Sequence, residues 1–414
     1  MSHSDKRQQV IAPVCALLVL STGLIPAASP SSVFWTAPCI LAAAMLIAWA
    51  AESAQFFMAQ GFALAILAWL QTLPEFAVEA VLAWRQQVPL LLANLTGALR
   101  LLTGLGWPMI YGVAAWFHRR HGNRRLGEIK LSDEHCVEVV ALLPPIAYAF
   151  VIWVKDTLGL FDAAVLIAMY VAYLLVLRRM PAAGAEDIED LELIPRTIVR
   201  APRGIRIAAI AGLFVVGGGL IYYAAEPFLA SLLAVSAALG IPNFVFVQWV
   251  APFVSEFPEK VSAFYWARTV ERASTALMNM VSSNINQWTL LAAMLPIVYC
   301  LSKGSTTPIV FDAQQEFQLL MTIGQALLAF LFLLNMRLTA VEAGGLFGLW
   351  LTQFALSPIT EGPGFWGFLS KWVDEAVTAA YFLWALVEIV RVVVSRRTPE
   401  AVRLFTVMWQ RHIR

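Results

Sequence analysis

The chain has 414 residues, 60% hydrophobic and 13% charged, with 28 basic against 27 acidic side chains and a formal net charge of +1. Soluble domains run about 45–50% apolar and about 25% charged, and nucleic-acid binders carry a basic patch, so this composition excludes both. Apolar runs of the roughly 20 residues a helical span needs recur along the chain, which makes it an all-α, polytopic integral membrane protein.

In chain order, spans are predicted near 10–26, 34–50, 55–85, 89–117, 138–154 and 160–178, then 206–239, 243–268, 273–301, 317–336, 338–356 and 374–395. That is about 12 transmembrane helices, several long enough to require tilt or a break. Basic clusters fall at Lys6–Arg7, His118 to Lys130, Arg178 to Arg206 and Arg391 to Arg414. Four, two and six spans separate them, so all four lie on one side. The positive-inside rule makes that side cytoplasmic, with both termini there. A cleaved signal at 10–26 is the alternative for the first span, and leaves the orientation unchanged.

The expected organisation is an extra N-terminal helix (1–33), a five-span unit (34–178), an acidic and basic cytoplasmic linker (179–205), a second five-span unit (206–356), and an extra C-terminal helix with a basic tail (357–414). The four cysteines are scattered and suggest no disulfide framework. All five histidines lie outside the predicted spans, and His118 and His121 read as part of a basic loop. Gly217-Gly218-Gly219 reads as close packing or a kink. With no Ser/His or metal-binding His constellation in the spans, an intramembrane enzyme is disfavoured.

An internal repeat carries the information about function. In one half, GFALAILAWLQTLPEFAVEAVLAW precedes PLLLANLTGALRLLTGLGWP; in the other, LGIPNFVFVQWVAPFVSEFPEKVSAFYWA precedes STALMNMVSSNINQWTLLAAMLP. Each copy has an apolar helix, a Pro-Glu break, an apolar continuation, a turn and a second helix carrying Asn. Glu75 to Asn94 is 19 residues and Glu259 to Asn279 is 20. Five spans separate equivalent elements, so the copies are predicted to be inverted. Paired, Pro-interrupted helices of that kind point to the midplane site of a secondary transporter.

A glutamate at mid-membrane costs roughly 2.5–3.5 kcal/mol on insertion scales and persists where it meets a cavity, partner or ion. Pro74 and Pro258 each remove a backbone donor, freeing carbonyls near Leu70 and Val254. Carboxylate, carbonyl and amide oxygens suit hard cations. Glu75 and Glu79 share a helix face, and Glu256 and Glu259 nearly do. Neighbouring carboxylates at low dielectric require a proton or cation between them.

These segments resemble the α-repeats of the cation/Ca²⁺ exchanger superfamily, which includes Na⁺/Ca²⁺ and H⁺/Ca²⁺ exchangers. The matching stretches are Leu70-Gln71-Thr72-Leu73-Pro74-Glu75 and Val254-Ser255-Glu256-Phe257-Pro258-Glu259. Their partner helices contain Asn94-Leu95-Thr96-Gly97-Ala98-Leu99 and Asn279-Met280-Val281-Ser282-Ser283-Asn284. The resemblance implies two inverted five-helix repeats, with Glu75 and Glu259 as central cation (metal) ligands. It implies Thr72, Asn94, Ser255, Asn279 and Ser283 as further oxygen donors.

This chain departs from the family pattern at Ala98-Leu99, where the family carries Ser-Asn, and at Arg100, Glu256 and Lys260. Glu79, Arg100, Glu256 and Asn284 are therefore candidate modulators. Arg100 is expected to pair with Glu75 or Glu79 and replace a transported ion, or else to be a structural partner or to snorkel toward an interface. Asn94 and Asn279 have the alternative of interhelical bonding.

The expected function is an alternating-access cation antiporter of the sodium/calcium exchanger type in a bacterial inner membrane. Its substrates are Ca²⁺, Na⁺ or H⁺, with no cofactor and no nucleic-acid partner. The alternatives are proton-coupled Na⁺ or K⁺ exchange, or a non-transporting membrane subunit.

Overall fold

The computed structural model describes residues 29–57, 63–122, 125–180, 188, 191–359 and 364–412. The first predicted span at 10–26, its signal alternative, Lys6–Arg7 and most of the acidic linker residues lie outside these.

Helices dominate. In the first half they are α1 (Val33–Gln55), α2 (Ala63–Gln71), α3 (Leu73–Trp84), α4 (Val88–Leu101), α5 (Trp107–Arg120), α6 (Cys136–Ala141), α7 (Leu143–Lys155) and α8 (Leu160–Leu177). A short helix, α9 (Leu193–Arg200), precedes α10 (Arg203–Leu239), α11 (Asn243–Ser255), α12 (Phe257–Ala267), α13 (Ala273–Asn286), α14 (Ala292–Lys303), α15 (Ala313–Leu333) and α16 (Ala340–Leu356). The C-terminal helices are α17 (Phe365–Ser395) and α18 (Glu400–His412).

Among the described residues, 8 helical segments are long and apolar enough to cross a membrane. Of the other four predicted spans, 10–26 lies outside the described residues, 55–85 and 243–268 are each split into two half-helices by a break, and α16 has 17 residues. Helix α10 runs for 37 residues, about 55 Å at 1.5 Å per residue. That far exceeds a hydrocarbon core of about 30 Å, so α10 tilts or projects beyond it. One of its faces exposes Val215, Val216, Tyr222 and Tyr223. The other lies along α1, where Thr36 and Ser231 share a hydrogen bond of 2.7 Å. A Cβ on Gly217 would sit 2.8 Å from Ile47 Cγ1, whereas Gly218 and Gly219 face open space. The triple glycine thus contains one close-packing position.

Two short antiparallel ladders tie the halves together. Strand β1 (Glu128–Lys130) pairs with β4 (Arg337–Thr339), and β2 (Thr157–Leu158) pairs with β3 (Ile309–Val310). The first ladder joins the turn after α5 to the turn after α15; the second joins the turns after α7 and α14. Each ladder therefore marks one end of the helix bundle. The Ala401 amide donates to Leu334 O at 3.0 Å, bringing the C-terminal α18 to the β1–β4 end.

The linker is structured where it is described. Pro195, Ile198 and Val199 of α9 are buried, and Trp49 Nε1 donates to Glu192 at 2.7 Å. His135, outside the predicted spans, is buried with its Nδ1 3.4 Å from a Glu138 oxygen.

Candidate cation-binding site

Both Pro-Glu motifs break their helices in the same way. Thr72, between α2 and α3, has φ −86° and ψ −1°; Glu256, between α11 and α12, has φ −92° and ψ 2°. These are bridge-region conformations, and each is followed two residues later by a proline that cannot donate to the preceding turn. The partner helices match too. Five residues of π-helix, Leu102–Gly106, continue α4, and Gln287–Leu291 continue α13. Single π turns inside α-helices recur at functional sites. Asn94 and Asn279 each stand eight positions before their π segment.

The four half-helices bring their polar side chains into one buried cluster. Glu75, Glu79, Glu256 and Glu259 are each at most 2% exposed, and Lys260 is buried beside them. Lys260 Nζ lies 2.5 Å from Glu256 Oε2. Gln287 Nε2 donates to Glu256 Oε1 at 2.6 Å and to Glu75 Oε2 at 3.2 Å. Asn94 donates to Glu79 at 3.2 Å, Asn286 to Thr72 Oγ1 at 2.6 Å, and Asn279 to Gln71 Oε1 at 3.2 Å. Glu259 faces the Ser283 hydroxyl and lies within electrostatic reach of Glu256 and Lys260.

The structure therefore gathers Glu75, Glu259, Thr72, Asn94, Asn279, Ser283, Glu79 and Glu256, with Asn284 also fully buried. Ser255 is buried as well, but its hydroxyl donates back to Ala251 O at 3.1 Å. Gln71, Asn286 and Gln287 belong to the cluster and were not anticipated. Asn286 and Gln287 sit seven and eight residues after Asn279, two helical turns along one face, and that spacing was the available signal.

Arg100 stands elsewhere. Its guanidinium donates to Gln353 Oε1 at 3.1 Å and through Nε to Thr96 O at 3.2 Å, and it lies 5.0 Å from the Trp249 ring centroid. Gln353 in turn donates to Asp374 of α17 at 3.2 Å, and Gln318 donates to the other Asp374 oxygen at 2.9 Å. The expected pairing with Glu75 or Glu79 does not form. Arg100 is the last polar residue of α4 and turns outward to the C-terminal helices, whose half-buried Asp374 supplies the opposing charge.

Many oxygens in the cluster lack a hydrogen-bond partner within the protein: Glu75 Oε1, Glu79 Oε2, both carboxylate oxygens of Glu259, the amide oxygens of Asn94, Asn279, Asn284, Asn286 and Gln287, and the Ser283 hydroxyl. Native proteins leave few buried polar atoms unpaired, and each costs roughly 1–3 kcal/mol. Their concentration at one place is what a hard, oxygen-seeking cation requires. Among the described residues no three His, Cys, Asp or Glu side chains converge on a metal-holding point. The donor set available is thus mixed, with amide and hydroxyl oxygens supplementing the carboxylates.

The family model described as sodium/calcium exchanger protein matches residues 31–178 and 209–357. The chain belongs to that family. As an exchanger-family member it is also similar in structure to solved transporters. The H⁺/Ca²⁺ exchanger CAX superposes with a TM-score of 0.85 at 29% identity, covering 100% of this chain and 99% of that one. Native YfkE matches at 0.58 and 16% identity, covering 91% and 98%. The sodium-calcium exchanger NCX_Mj, soaked with 10 mM Na⁺ and zero Ca²⁺, matches at 0.54 and 17% identity, covering 79% and 98%. No curated protein shows significant sequence similarity. The two segments matched by the family model each contain one Pro-Glu break and one π segment.

Proposed function

We propose that this exchanger is a secondary active antiporter that moves Ca²⁺ against protons, with Glu75 and Glu259 as the central ligands of the transported cation. The observation that carries the reading is the set of partnerless oxygens around these two carboxylates. Asn94, Asn279, Ser283 and Asn284, each with an unpartnered oxygen, complete the donor set beside Thr72, and Glu79 and Glu256 exchange protons with it. Buried carboxylates that cannot all ionise together make a cation and protons alternative occupants. The full-length likeness to a protein described as an H⁺/Ca²⁺ exchanger supports the proton as counter-ion.

In this reading residues 34–178 and 206–356 are inverted repeats, and the site opens alternately to the two sides. The β1–β4 end carries the described basic residues of the second and fourth clusters, among them Arg119, Arg120, Arg396 and Arg403, and the positive-inside rule places it in the cytoplasm of a bacterial cell. A second reading, proton-coupled exchange of Na⁺ or K⁺, draws support from one asymmetry. Ala98, Leu99, Leu101 and Leu102 stand where the other half has Ser283, Asn284, Asn286 and Gln287, which thins the oxygen set.

Reconstituted proteoliposomes decide between them. Radiolabelled Ca²⁺ uptake driven by a pH gradient, with matching proton counterflow, is the expected result, lost in Glu259→Gln. Proton movement answering only Na⁺ or K⁺ would select the second reading. No flux of any of these ions from folded protein would make the chain a non-transporting subunit.

A further inference from the structure

An apolar cavity of about 230 Å³ lies behind the second π segment, outside the cluster of carboxylates. Its walls include Val137, Val140, Met169, Val176 and Ile285, with Phe405 of α18. Pro144 and Ala172 also line it and are exposed. Both belong to helices apolar enough to span a membrane, so the mouth opens sideways toward lipid.

The two polar groups in the lining already have partners: Thr289 Oγ1 donates to Ile285 O at 2.5 Å, and the Tyr173 hydroxyl pairs with Ser282 Oγ at 3.1 Å. Nothing in the wall calls for a polar ligand, and an alkyl chain satisfies it.

Basic residues follow the wall directly in sequence. Val176 is followed closely by the exposed Arg178 and Arg179. Arg403, two residues before Phe405, is held by Glu400, which leaves Arg178 and Arg179, just past the end of α8, as the headgroup contacts. Helix α18 is short and amphipathic. Leu404, Phe405 and Met408 pack on the protein, while Val402, Val407 and Trp409 are exposed. Such a helix lies in the membrane interface, and basic residues at that depth attract anionic lipid.

We propose that this cavity is a specific site for one acyl chain of an anionic phospholipid, drawn from the leaflet at the β1–β4 end, with its headgroup on Arg178 and Arg179 and Phe405 against the chain. The cavity wall at Ile285 and Thr289 flanks Gln287, which bridges Glu75 and Glu256. The bound chain therefore braces the π segment from behind.

The test uses the full chain in nanodiscs containing phosphatidylglycerol with a photoreactive diazirine in one acyl chain, and maps the adducts by mass spectrometry. Adducts should concentrate on 137–145, 169–176 and the segment around Phe405. Ala172→Trp, which fills the mouth, should lower them about tenfold, and the same probe on a phosphatidylcholine headgroup should label about thirtyfold less, as loss of the attraction to two interfacial arginines implies. The pair Arg178→Gln and Arg179→Gln, outside the packed helices, should do the same even if Ala172→Trp fails to fold.

Labelling spread evenly over the lipid-facing surface, including the Tyr222–Tyr223 face of α10, would overturn the site. Equal labelling by the phosphatidylcholine probe would overturn its anionic character. The readout involves no ion flux, so it stands apart from the exchange reaction.

Discussion

Glu75 and Glu256, which belong to opposite halves of the chain, share a single donor: the Gln287 amide nitrogen, at 3.2 Å from one carboxylate and 2.6 Å from the other. Lys260 holds the far oxygen of Glu256. One side of the cluster is thus cross-linked between the halves, while both oxygens of Glu259 stay without a partner.

Replacing Gln287 by the Leu found at the matching position of the other half removes the shared donor and leaves two buried carboxylates facing each other. Loss of a hydrogen bond to a charged group costs about 1.5–3 kcal/mol. Gln287→Leu should weaken apparent Ca²⁺ affinity in flux assays about tenfold or more, with the protein still eluting as a folded species.

Neutralising the central carboxylates should separate transport from folding. Glu75→Gln and Glu259→Gln are expected to bring gradient-driven flux to background, since each removes a charge the cation needs. Thermal unfolding in detergent should be unchanged or raised, because an amide is cheaper to bury than an unpaired carboxylate. A parallel collapse of stability in both variants would instead assign these residues to structural pairing.

Arg100 and Asp374 should behave as a unit. The two opposite charges are linked through Gln353, and removing one leaves the other uncompensated, which costs more than removing both. Asp374→Asn and Arg100→Gln should each lower the unfolding temperature sharply, and the double variant should recover part of the loss. Additive losses would show that Gln353 does not couple them.

Gly97 faces Gln248 across the contact of α4 with α11, where an added Cβ would stand 1.9 Å from the Gln248 carbonyl oxygen. Backbone cannot yield as a side chain can, so Gly97→Ala should destabilise by about 1–3 kcal/mol or more. Gly218→Ala meets open space and should leave thermal stability equal or higher.

Outside the spans, burial holds the Glu192 carboxyl above its ordinary range, opposed by the Trp49 hydrogen bond. For an acid raised in the folded state, the stabilising contribution is complete below the ordinary carboxylate range and is lost as pH rises through the folded value. Docking of α9 should loosen from acid to neutral pH. Hydrogen exchange over residues 193–200 should accelerate accordingly, and Glu192→Gln, which keeps an acceptor for Trp49, should abolish the change.

Sequence by itself determined the membrane class, the positions of the apolar segments, the two Pro-Glu breaks and the acidic residues that meet at the centre. Those features are local: hydropathy sets the spans, and a proline two residues after Thr72 or Glu256 must interrupt the backbone ladder whatever surrounds it. Only the tertiary structure decided the partners. Which face of α4 Arg100 occupies depends on the packing of α15, α16 and α17, elements more than 200 residues away, and its attraction to Asp374 runs through Gln353, which no pattern links to it. The same holds for Asn286 and Gln287. Their helical spacing from Asn279 was legible, but their meeting with Thr72 and Glu75 required the two halves to be brought face to face.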